Sequence, residues 1–318
     1  MPSSPFGHDT LCACVRRFVP QADSISFTRI PTGKFNTSFF VSADAAEFVL
    51  RIAPPSDAVF VFYERDMMRQ EPAIHRLLLD KTSVPVARII GFDGSHKIVD
   101  RDYLLMERLP GKALCDARGV NVDAVLREVG SCLAQVHRLT ADAYGYLGEH
   151  KPMPPQSTWV DAFQVMWRRL IEDVLACGHY NREEADALLR LLDRHLPLFD
   201  LRVTASLLHM DIWSQNILVS KAGSLTGLVD WDRALWGDPE IEFAILDYCG
   251  VAEPAFWEGY GQRRDISREA RIRNRFYLLY EIQKYIVIEQ GRKDNPRAAR
   301  QYKHHVMEMA KGIPHESV

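Results

Sequence analysis

The hydrophobic rhythm of the chain changes at Pro110-Gly111, from short apolar runs to helical spacing. Upstream, Ile25, Phe27 and Ile30, then Phe39-Phe40-Val41, then Phe48-Val49-Leu50-Arg51-Ile52 are separated by Gly33-Lys34 and by Asp44-Ala45-Ala46. That spacing predicts three antiparallel strands. A helix is expected across residues 63–79, where Met67, Ile74, Leu77 and Leu78 recur near the helical period, although Pro72 requires it to bend or restart. Val84-Pro85-Val86 ends it. Residues 88–92 and 103–106, on either side of Asp93-Gly94-Ser95, supply two more strands, so the first part reads as a five-stranded sheet with one helix. Downstream, Val125, Leu126, Val129, Leu133 and Val136 make one apolar stripe ahead of His137. Residues 159–177, 182–195 and 268–290 also read as helices, and the proline-rich stretch 148–157 reads as a connector. One strand, turn, strand unit interrupts them, with apolar runs at 217–219 and 225–229 around a turn at 221–224.

Composition narrows the class without naming it. At 318 residues the chain has material for about two domains. A net charge of -3, with 25% charged and 47% hydrophobic residues, is ordinary soluble composition and carries no signal for a nucleic-acid partner. No apolar stretch approaches the roughly 18 residues that cross a bilayer, and the first residues lack a basic-then-apolar targeting segment. No membrane partner and a cytoplasmic location are therefore expected. The six cysteines are scattered and are expected to be reduced thiols. Cys12-Ala13-Cys14 has no second pair at zinc-finger spacing and reads as two small apolar residues on a first helix.

The chemistry lies in two acidic motifs, His209-Met210-Asp211-Ile212-Trp213-Ser214-Gln215-Asn216 and Val229-Asp230-Trp231. The first fits H-x-D-x-x-x-x-N, in which the Asp accepts the proton of an attacking hydroxyl and the Asn reaches a magnesium ion. A hairpin between the motifs would return the chain beside its start, so that Asp230 and Asn216 share one metal. Magnesium takes oxygen ligands and keeps waters or phosphate oxygens in its remaining positions. Either acid alone reads equally well as a turn residue. Together, in this order, they point to phosphoryl transfer.

These residues, with Asp232, Gly237-Asp238-Pro239 and Glu242-Phe243-Ala244, resemble the aminoglycoside phosphotransferase family, which includes choline-kinase-like and fructosamine-kinase-like enzymes. The resemblance spans nearly the whole chain. It implies an α+β, protein-kinase-like bilobal fold, with a nucleotide-binding lobe at 1–109 and a mainly helical catalytic and substrate-binding lobe at 110–318. It also implies that Asp211 is the catalytic acid or base, with His209 in the same loop as a catalytic or bracing residue, and that Asn216 and Asp230 are the metal ligands. Asp238 resembles a loop-stabilising Asp and is equally compatible with a helix N-cap.

The same resemblance distributes the nucleotide contacts. Gly33 and Asn36 belong to a loop, Pro31-Thr32-Gly33-Lys34-Phe35-Asn36-Thr37-Ser38, that is either a phosphate loop or a plain hairpin turn. Arg51 stands where the family usually has a phosphate-binding Lys, with Glu71 favoured over Glu64 as its ion-pair partner. Met106, the Glu107 carbonyl and the Leu109 amide would hold the adenine. The implied cofactors are ATP, with GTP open, and Mg2+. Arg51, Met210 and Glu242 depart from the family's usual Lys, Gly and Asp.

Between residues 230 and 260, Asp230, Asp232, Asp238, Glu240, Glu242, Asp247, Glu253 and Glu258 face one base, Arg233, which favours a cationic small-molecule substrate or a solvated acidic face. Three functions follow: an antibiotic phosphotransferase acting on an aminoglycoside, a metabolic kinase for an amino alcohol or fructosamine-like compound, and a nucleotide-binding pseudokinase scaffold. A monomer and a homodimer are both compatible.

Overall fold

A computed structural model describes residues 5–33 and 35–314. Strands β1 (Ile25–Ile30), β2 (Thr37–Ala43), β3 (Ala46–Ile52), β4 (Ile89–Asp93) and β5 (Tyr103–Glu107) form one antiparallel sheet in the order β1-β2-β3-β5-β4. The side-chain alternation of a strand decides which residues reach the site. Phe48, Leu50 and Ile52 of β3 enter a core with Leu11, Cys14 and Val15 of α1 (His8–Arg16). Val49 and Arg51 therefore face the other side, where Val49 packs against Met68, Leu104 and Met106. Cys12 and Cys14 are buried on α1, and all six cysteines are free thiols.

The helix expected over 63–79 is shorter and starts later. Asp66 has a left-handed backbone (φ 59), Met67–Gln70 form a 3-10 turn, and α2 runs over Glu71–Lys81. Proline lacks an N–H and is tolerated in the first turn, whereas inside the helix its ring meets the preceding turn. Pro72 therefore sets a start rather than a bend, and Glu71 becomes the first residue of the helix.

Beyond β5 the chain becomes mainly helical: α3 (Val122–Val136), α4 (Trp159–Ala176), α5 (Arg182–His195), α6 (Pro239–Tyr248), α7 (Pro254–Tyr260), α8 (Arg268–Gly291) and α9 (Pro296–Lys311). The apolar stripe of α3 is buried along its length, and Asn121 caps the helix by accepting from the Ala124 N–H. The main core joins Trp159, Phe163 and Trp167 of α4 to Leu188 and Leu192 of α5 and to Phe276, Tyr277 and Tyr280 of α8. Burying each such side chain contributes about 1.5–3 kcal/mol, so α8 is anchored firmly. Helix α6 begins after the N-cap that Asp238 was compatible with, whereas α7 and α9 were not expected; all three carry Pro in the first turn.

Two small sheets complete this part. β6 (Lys112–Ala113), β9 (Ile217–Val219) and β10 (Leu225–Leu228) pair in the order β10-β9-β6, while β7 (Thr140–Ala141), β8 (Ala205–Leu208) and β11 (Leu235–Gly237) pair as β11-β8-β7. A cleft of about 1040 Å³ separates the five-stranded sheet from the helical part. Among the described residues, no helix is long and apolar enough to cross a membrane.

Candidate active site

The loop after β8 and the β9-β10 hairpin bring the two acidic motifs together. The Val229 N–H donates to the Asn216 carbonyl at 3.0 Å, which closes the hairpin where the sequence spacing required it. Asn216 Nδ2 donates to the Asp211 main-chain carbonyl (2.8 Å) and to Asp211 Oδ2 (2.9 Å). These bonds commit the amide nitrogen, so the amide oxygen is the atom left to meet a cation. Met210 and Asp230 both adopt left-handed backbone, with φ of 67 and 74. Such strain in non-glycine residues is tolerated where surrounding contacts fix it, commonly at functional loops.

His209, expected among the catalytic residues, does not line the cleft. Its ring is fully buried 4.3 Å from the Trp231 ring centroid. Nε2 donates to the Val229 carbonyl (3.0 Å) and Nδ1 accepts from the Asp211 N–H (3.2 Å), so one neutral tautomer satisfies both bonds. Burial holds its pKa below the usual histidine value. The ring thus ties the two motifs to each other. Glu242 does similar work from α6, accepting from the Met210 N–H (2.6 Å) and pairing with the buried His137 (2.7 Å).

Arg51 reaches the same loop from β3. Nη1 donates to Glu71 Oε2 (2.7 Å), while Nη2 donates to Asp230 Oδ1 (2.5 Å) and Asp232 Oδ2 (2.9 Å). Glu64 is engaged elsewhere, accepting from Arg292 (2.8 Å) and from the Val61 N–H (2.7 Å). Asn36 Nδ2 adds a bond to Asp232 Oδ2 (3.1 Å). One guanidinium therefore faces three carboxylates. Burial, and then the neighbouring charge of Asp230, push the Asp232 carboxyl well above its usual range. A divalent cation beside Asp230 would supply the missing positive charge.

Gly33, Asn36, Arg51, Met106, Glu107, Leu109, Asp211, Asn216 and Asp230 all line the cleft, whereas Glu71 lies behind Arg51. A Cβ on Gly33 would stand 2.9 Å from the Asn36 carbonyl, so this tight turn requires glycine. Lys34, in the same turn, lies outside the described residues. Among the described residues, no three His, Cys, Asp or Glu side chains group into a metal site of their own. A magnesium ion bound through Asp230 and Asn216 would take its other oxygens from water or phosphate, in keeping with that ion's habit. Burial pushes Asp211 up to about 6, and the charge of Lys284 opposes this most strongly.

Across the cleft from Asp211, one face of α8 contributes Lys284, Tyr285, Ile288 and Glu289, joined by Arg292 just beyond the helix and by Tyr248 and Tyr302. Tyr285 stacks on Tyr302 with ring centroids 5.1 Å apart. Of the acids between residues 230 and 260, only Asp230 and Asp232 line the cleft. Asp238 instead caps α6, Glu240 pairs with Arg273, Asp247 with Arg264, and Glu258 with Arg127. Of the aromatic residues interleaved with them, Tyr248 alone lines it. Asp232 was named from sequence without a site role, and Lys284, Tyr285 and Tyr302 were not singled out. For Lys284 and Tyr285 the signal was the spacing 284, 285 and 288 on one helix face, which is masked because most of the other face of α8 is buried too.

Solved structures share this fold. A Haemophilus somnus 129PT protein provisionally named as a fructosamine-3-kinase superposes with a TM-score of 0.69 at 18% identity, over 96% of this chain and 97% of its own. A thermostable mutant of aminoglycoside phosphotransferase APH(4)-Ia, solved with AMP-PNP and hygromycin B, gives a TM-score of 0.66 at 18% identity, over 94% and 99%. By sequence, a probable ketoamine kinase of Enterococcus faecium is 24% identical over 257 residues, covering 78% of this chain and 84% of that one. The model of the phosphotransferase enzyme family matches residues 26–273. The chain therefore belongs to that family and is a small-molecule kinase, a phosphotransferase with an alcohol group as acceptor.

Proposed function

We propose that this enzyme transfers the γ-phosphate of ATP, as its magnesium complex, to a hydroxyl of a sugar-bearing amine. The observation that carries this reading is the convergence of Asp211, Asn216, Asp230 and Arg51 on one cleft. In it, residues 1–109 hold the nucleotide, with Met106, Glu107 and Leu109 around the base and Gly33, Asn36 and Arg51 near the phosphates. Residues 110–318 hold the acceptor. Asn216 and Asp230 bind the magnesium, which when bound neutralises phosphate charge. Asp211 orients the acceptor hydroxyl and accepts its proton, while Glu71 keeps Arg51 in place. Little base strength is needed for a loose transition state, so positioning supplies most of the rate.

Between two acceptors, we favour a ketoamine. Most of the acids that would have gathered a polycation are engaged outside the cleft, and the α8 wall offers tyrosine rings suited to a sugar face. The E. faecium relative bears the matching name. An aminoglycoside is the second reading, supported by the likeness to the hygromycin B complex. Incubation with labelled ATP, magnesium and either fructosyl-lysine or a panel of aminoglycosides tests both. Label on fructosyl-lysine, abolished by Asp211→Asn, is the expected result. Label on aminoglycosides alone would select the second reading, and transfer to neither would remove both.

A further inference from the structure

Lys284 is an unusual lysine. Its side chain is only 7% exposed, yet it lines the cleft that also holds Asp211. Its ammonium pairs with Glu281 Oε1 one turn earlier on α8. The other oxygen of Glu281 accepts from Arg233 Nη2 at 2.8 Å, and Arg233 Nη1 donates to the Met210 carbonyl at 2.7 Å. Arg233 also lies over the Tyr63 ring, 5.1 Å from its centroid. One buried carboxylate is thus shared by two cations. The chain Met210, Arg233, Glu281, Lys284 fixes the ammonium relative to the loop that carries Asp211.

Desolvating an ammonium is costly unless an anion meets it. Its compensation is a carboxylate shared with Arg233 and the Tyr285 ring 5.0 Å away, and the side chain opens on the cleft that holds Asp211. An ion pair serving only to hold α8 together has no need of that opening. We propose that Lys284 is a catalytic cation, its ammonium hydrogen-bonded to an oxygen of the γ-phosphoryl group as that group passes to the acceptor. The inference rests on the kinase reading above. In the step, the bond between the acceptor oxygen and phosphorus forms while phosphorus parts from the oxygen bridging to the β-phosphate. ADP departs with that electron pair, the hydroxyl proton goes to Asp211, and Lys284 keeps its protons. A donor held ready where charge gathers needs no reorganisation during reaction. Glu281 and Arg233 are positioning residues in this scheme.

The main test needs no acceptor. Displacement of a fluorescent nucleotide measures MgADP affinity with and without aluminium fluoride, a mimic of the transferring phosphoryl group. Wild type should bind MgADP at least about 100-fold more tightly with fluoride, as transition-state mimics do. Lys284→Met should lose at least about tenfold of that gain, while binding MgADP alone as wild type does. Lys284→Arg should recover most of the gain. Glu281 keeps Arg233 as a partner in both variants, and a melting curve confirms the fold. An undiminished fluoride response in Lys284→Met overturns the proposal. If fructosyl-lysine binding alone weakens, Lys284 serves the acceptor instead and the proposal is again overturned. Absence of MgADP binding in wild type would remove the kinase reading itself, and the proposal with it.

Discussion

Arg51 and Glu71 meet at 2.7 Å, the Arg51 side chain 9% exposed and the carboxylate wholly buried. The pair joins β3 to the first residue of α2, and the same guanidinium continues across the cleft to Asp230 and Asp232. Removing one member of a buried pair leaves the other charge stranded. Arg51→Ala should therefore lower unfolding free energy by about 3–5 kcal/mol in chemical denaturation. Arg51→Lys should fall between the two, because an ammonium keeps the charge and lacks the planar fork. A near-neutral Arg51→Ala would mean that the three carboxylates do not depend on it.

Asp211→Asn separates chemistry from binding. Turnover should fall by about 10²–10⁴-fold, while MgADP affinity stays close to wild type. Because burial pushes this carboxyl up to about 6, the charge is an internal cost, and the amide should raise stability by about 1–2 kcal/mol. Turnover assays and thermal melts on one preparation check both halves. Retained turnover would displace Asp211 from its role.

For Asn216 the relevant measurement is a magnesium titration. Asn216→Ala removes the one amide oxygen directed at the proposed ion. The magnesium concentration for half-maximal turnover should rise at least about tenfold, with the ATP requirement at saturating magnesium changing far less. An unchanged titration would release Asn216 from the metal.

Asp238 makes stability depend on pH. Burial, and then Glu240, push its carboxyl up to about 6 from an ordinary 3.8, and the Tyr277 hydroxyl donates to it at 2.8 Å. The folded protein thus binds this proton more tightly than the unfolded chain does. Its contribution is fully present below about pH 4 and is lost as pH rises through about 6. Asp238→Asn cannot titrate, so its stability relative to wild type should improve across that window by up to about 3 kcal/mol. Denaturation at a series of pH values reads this difference. A gap that does not change with pH would refute it.

How much of this was legible beforehand depended on how local each signal was. The five strands were readable because alternation at residues such as Phe48, Leu50 and Ile52 is a property of the strand itself. The hairpin that joins the two acidic motifs was readable because its turn is short. Prolines were harder to read: Pro72 left a bend or a restart open, Pro239 was compatible with a helix start, and Pro254 and Pro296 gave no such sign, yet all four stand in the first turn of a helix, where the missing N–H has no helical partner to lose. Without the structure, a proline that starts a helix looks like one that ends it. The acids after Asp230 show a second limit. Their partners Arg273, Arg264 and Arg127 all lie outside the segment, so charge counted along it did not reveal where the charge is neutralised.

The wall facing Asp211 belongs to α8, whose inner side carries Phe276, Tyr277 and Tyr280 into the main core. If the acceptor lies against this wall as proposed, selectivity for it would be built into a load of tightly packed side chains rather than into an interchangeable loop. Efforts to redirect the enzyme to another alcohol have few free letters to vary, chiefly Tyr285 and Ile288 on that wall. Segment exchange there would unseat the interior together with the specificity.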